Sequence, residues 1–129
     1  MSLTQFGSIM TFAINLENQL AKFYDEVAET GGIHAEEFSR RANACRKRKR
    51  KLERSRRENI TEMTLEPIAG LNADNYALDL ANDSLTSINA IEKIVIRFYT
   101  DVAPKINVLE SRRILERCKK EHSNLSELN

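Results

Sequence analysis

Apolar residues recur along this chain with the step of a helix. From Phe6 through Met10, Ala13, Glu17, Leu20, Tyr24 and Val27 the spacing alternates between four and three, which gathers these positions on one helical face. Ile9, Phe12, Leu16 and Phe23 form a second apolar row beside it. Further along, Ala81, Leu85, Ile88, Glu92, Val95, Tyr99 and Val102 repeat the same stepping. The strongest helix breakers are few and fall between such segments: Gly31-Gly32, Pro67 with Gly70, and Pro104. The pattern predicts four helices over about 2–30, 34–63, 74–103 and 105–128, within one all-α domain spanning residues 1–129.

The first and third helical stretches superimpose with a shift of 75 residues. Glu17 falls on Glu92, Phe23-Tyr24 on Phe98-Tyr99, and Val27-Ala28 on Val102-Ala103. The second and fourth agree more loosely at a shift of 73, where Cys45, Lys49 and Leu52 fall on Cys118, His122 and Leu125. The chain therefore reads as two repeats of a helical hairpin. Between them lie some ten residues around Thr64–Leu71, long enough when extended to run the length of a helix of about 25 residues. Short, long, short connections describe an antiparallel four-helix bundle with a single crossover.

Two positions break the apolar faces. Glu17 sits between Ala13 and Leu20, and Glu92 between Ile88 and Val95. A carboxylate in a core is costly unless it is paired, hydrogen-bonded or bound to metal. Two at equivalent places in a repeat call for a shared explanation.

Glu-x5-Phe-Tyr-x2-Val-Ala, present twice, resembles the single-Glu helices of ferritin-like proteins of the rubrerythrin type. The resemblance implies a di-iron bundle in which the other two helices each supply a Glu-x-x-His pair. Here His122 stands where such a histidine would, but Lys119 precedes it by three, and the second helix offers Arg46-x-x-Lys49. Of six implied ligands Glu17, Glu92 and His122 remain, and three are replaced by cations, which repel divalent iron. The expectation is therefore a degenerate di-iron site with no cofactor, its carboxylates neutralised by Arg46, Lys49 or Lys119 as interior ion pairs. The function expected is a non-catalytic binding or structural one. The alternative, from the enzyme class, is a divergent iron-dependent oxidoreductase or peroxidase holding iron or another divalent metal on Glu17, Glu92 and His122.

Charge alters this picture locally. The formal net charge is only +1, yet residues 40–57 hold eleven Lys or Arg. A polyanion-binding surface is the second alternative. Consecutive charges point all around a helix and no aromatic residue interleaves for base stacking, so a solvated face is the expectation and nucleic acid is disfavoured. Cys45 and Cys118 lack any CxxC spacing and fall on inward stripes, as buried thiols do. Tyr24 and Tyr99 are expected in the core with their hydroxyls on carboxylates, and His34 near the second helix's cap. With no signal segment or bilayer-length apolar run, a cytoplasmic location and no membrane contact are expected, and a homodimer is compatible with the sequence.

Overall fold

A computed structural model of the protein describes Leu3, residues 5–59 and residues 71–129. Four long helices carry the fold: α1 (Phe6–Glu29), α2 (Ala35–Glu58), α3 (Leu85–Val102) and α4 (Leu109–Ser123), with no β-strand among the described residues. Among the described residues the chain adopts the expected all-α class with four long helices. Most of the expected connection around Thr64–Leu71 lies outside the described residues.

Three of these boundaries have a visible local cause. The α1–α2 turn passes through Gly31 and Gly32 at φ 79° and 93°, conformations that a Cβ disfavours. The N-terminus of α3 is set by Ser84, whose Oγ accepts the N–H of Ser87 over 3.2 Å. Pro104 follows shortly after the end of α3 and falls in a 3-10 turn over Ala103–Lys105.

The expected helix over 74–103 is shorter than its periodicity suggested. Ala73–Tyr76 forms a 3-10 turn, and the chain stays irregular until Leu85. The side chains of Asn72, Asp79 and Asn82 accept the N–H groups of Asp74, Ala81 and Ser84, offering the backbone partners that compete with a helix. Ala81, expected on the inward stripe, is exposed in this loop. The last helix also stops early. Residues 125–129 form a tail in which Leu128 is buried, its backbone gripped by the Asn89 amide through two 2.9 Å bonds.

α1 packs along α2, α3 against α4, and α2 also touches α4. Their inward faces merge into one core that includes Ile9, Met10, Leu20, Leu52, Ile88, Val95 and Leu115, all fully buried. Phe12 packs on Phe98 with ring centroids 4.9 Å apart, tying α1 to α3.

Candidate functional site

In the middle of this core lies a cluster of charge. Glu17 is fully buried, and Glu92 and His122 are 6% and 1% exposed. The imidazole of His122 lies between the two carboxylates. Its Nδ1 is 2.7 Å from Glu92 Oε2 and its Nε2 is 2.9 Å from Glu17 Oε2. Two tyrosines complete the arrangement by reciprocal exchange. Tyr24 on α1 donates to Glu92 on α3 at 2.6 Å, and Tyr99 on α3 donates to Glu17 on α1 at 2.6 Å. The ring of Tyr99 also stacks on His122, centroids 5.8 Å apart.

Cations enter the cluster from α2, but not those expected. Arg48 donates through Nε to Glu17 Oε1 at 3.1 Å, through Nη2 to Cys45 Sγ at 3.2 Å, and through Nη1 to Glu121 on α4 at 3.0 Å. Arg41 is buried one side over, bonded to Glu37, to the Tyr24 hydroxyl at 3.3 Å and to the backbone oxygen of Ser126. Lys49 instead turns to Asn18, Arg46 pairs with Asp25 on a half-exposed flank, and Lys119 is half-buried on α4 without an ion pair to either core glutamate.

The buried positions of α2 are Phe38, Arg41, Ala42, Cys45, Arg48, Leu52 and Ser55, and the buried cations fall on the stripe Phe38, Arg41, Cys45, Arg48, Leu52. The spacing alone equally allows a stripe of Phe38, Ala42, Cys45, Lys49 and Leu52, the same alternation begun one step out of phase. Both phases share Phe38, Cys45 and Leu52, so the shared positions could not distinguish them.

The charges hold one another in fixed protonation states. Burial alone would raise the Glu17 pKa. The charge and hydrogen bond of His122, the charge of Arg48 and the Tyr99 hydroxyl outweigh it and bring Glu17 down to about 2. Burial would likewise lower His122, but the two glutamates raise it to about 9. Glu92 is buried too, yet His122 and Tyr24 lower it below the ordinary carboxylate range. Desolvation, with Glu17 nearby, pushes both Cys45 and Cys118 well above the usual thiol value. Tyr24 and Tyr99 are raised by burial and by the glutamates they bond. A general acid or base works best with a pKa near the operating pH. Here the two central groups lie on either side of neutrality, which suits holding charge in place rather than passing protons.

The donor set does not fit a metal ion as it stands. Both ring nitrogens of His122 are spent on carboxylates, Tyr99 and Arg48 take up Glu17, and a guanidinium lies where a divalent cation would be repelled. Among the described residues, no group of three or more His, Cys, Asp or Glu side chains is arranged to hold a metal. Nor does any buried side-chain nitrogen or oxygen among them lack a hydrogen-bond partner. A cleft of about 230 Å³ reaches the cluster from outside, bounded by Arg41, Glu92 and His122 within and by Asn89, Lys93 and the tail at its mouth.

Of the remaining expected residues, Cys45 and Cys118 are free buried thiols, and His34 is the N-cap residue of α2, its ring on the backbone oxygen of Asn129 at 3.1 Å. No described helix is long and apolar enough to cross a membrane. No protein-family model, curated protein or solved structure matches the chain.

Proposed function

We propose that this chain is a ferritin-like, rubrerythrin-type antiparallel bundle of two repeated hairpins, in which protein charges occupy the place of a di-iron centre, and that it serves as a non-catalytic binding or structural protein. The observation that carries this reading is the bridge Glu17–His122–Glu92, closed on the Glu17 side by Arg48. A buried carboxylate pair needs compensating positive charge. In a di-iron bundle metal supplies it; here a protonated imidazole and a guanidinium do. The reciprocal Tyr24–Glu92 and Tyr99–Glu17 bonds support the duplication, since each repeat gives the other the same donor and the same acceptor.

Metal analysis of protein purified without chelators from iron-supplemented cells tests the reading. Iron, manganese and zinc together are expected at well under one equivalent per chain. Near-stoichiometric metal that disappears in Glu17→Gln would replace this reading with the divergent oxidoreductase.

A further inference from the structure

Charge is divided between the helices. α2 carries eleven Lys or Arg against four Glu, a net of +7, and α4 carries five against three, a net of +2. With the whole chain at +1, the rest must hold −8. The two basic helices touch each other.

Between them runs a groove of about 590 Å³, whose charged lining is Arg40, Lys47, Arg48, Lys51 and Arg117 against Glu121 alone. That single carboxylate is already shared, accepting Arg48 at 3.0 Å and Arg117 at 3.3 Å. Arg40 is held by Glu37. Lys47 and Lys51 are exposed and have no ion pair among the described residues. Arg40, Lys47 and Lys51 lie along one side of α2, a row of about 16 Å at 1.5 Å per residue. On a duplex, where each strand places a charge every 3.4 Å or so of axis, that length spans about five phosphates.

We propose that the α2/α4 groove binds the phosphodiester backbone of a nucleic acid. The grip is by charge alone: the groove has no aromatic side chain to stack a base, so it selects no sequence. A membrane surface fits less well, because basic membrane-binding faces border apolar side chains that insert between lipids, and the only apolar residue here is Ala44. The cations also follow one line along α2 over that length, which suits an extended polyanion better than an irregular acidic protein. The solvated face expected from residues 40–57 alone gains its second wall from Arg117 on α4, which the run itself does not contain.

The test is fluorescence anisotropy with a labelled 20-base-pair duplex and single strands of DNA and RNA of equal length, over a salt series starting at about 50 mM. Vesicles of phosphatidylglycerol and poly-glutamate serve as competing anions. Binding to either nucleic-acid form is expected, with a slope of log affinity against log salt between about −2 and −4 for two to four phosphate contacts. Lys47→Glu/Lys51→Glu should weaken it at least tenfold and flatten that slope by about two. Lys22→Glu, which reverses an exposed charge on α1, should leave affinity within about twofold. Circular dichroism of each variant checks that the helices persist. No salt-dependent binding of either nucleic acid, equal weakening by Lys22→Glu, or binding confined to vesicles or poly-glutamate would each overturn the proposal.

Discussion

The guanidinium of Arg48 stands 3.1 Å from Glu17 Oε1, with 5% of the arginine side chain exposed and none of the glutamate's. Both charges have given up water, and each depends on the other for compensation. Removing one partner of such a pair typically costs about 3–5 kcal/mol. Arg48→Met and Glu17→Gln should each lower stability on that scale in urea denaturation, while the double variant should lose clearly less than the sum of the two. Strict additivity would mean that the two side chains are adjacent without being coupled.

The cluster also sets a pH profile. His122 is raised from 6.5 to about 9 in the folded protein, so its contribution is fully present below pH 6.5 and is lost as pH rises through 9. Glu17 is lowered from 4.5 to about 2, so its contribution is fully present above pH 4.5 and is lost as pH falls toward 2. The cluster should therefore stabilise most between about pH 4.5 and 6.5, where both contributions are complete. Thermal midpoints across pH 3 to 10 should show this plateau, and His122→Gln should flatten its alkaline limb. An unchanged alkaline limb in that variant would contradict the assignment.

Cys45 and Cys118 are 1% and 2% exposed, and burial holds their thiols above the usual range. Thiolate is the reactive form. A bulky disulfide reagent should therefore label native protein slowly and denatured protein at once. Rapid labelling of two thiols in the native state would point instead to a redox role.

The Asn89 side chain holds the tail by donating to the Leu128 carbonyl and accepting its N–H. Asn89→Ala removes two hydrogen bonds at a cost of about 1–3 kcal/mol. The Leu128 amide should lose its protection in hydrogen exchange, while amides in the middle of α3 keep theirs. If Leu128 stays protected, the tail is held by its packing alone.

Glu17, Glu92 and His122 stood out because each interrupts an apolar stripe or matches a repeat, and all three meet in the core. Arg48 and Arg41 did not. Every position from 46 to 51 is Lys or Arg, so hydropathy offers no contrast to show which one points inward, and the phase of α2 is fixed only by packing against α1 and α4. The late start of α3 was hidden by helix-compatible spacing, which polar side chains bonding nearby backbone overrode. The tail's contact with Asn89 links residues 39 apart and leaves no local signature.

A protonated His122, with Arg48, balances the two buried glutamates. Nitrogen NMR of the His122 ring measures this directly. The expected result is an imidazolium with protons on both Nδ1 and Nε2 at pH 7, one bonded to each carboxylate, and no change on adding an equivalent of ferrous iron or zinc. A neutral ring at pH 7, or a ring nitrogen that shifts stoichiometrically as metal is added, would contradict it.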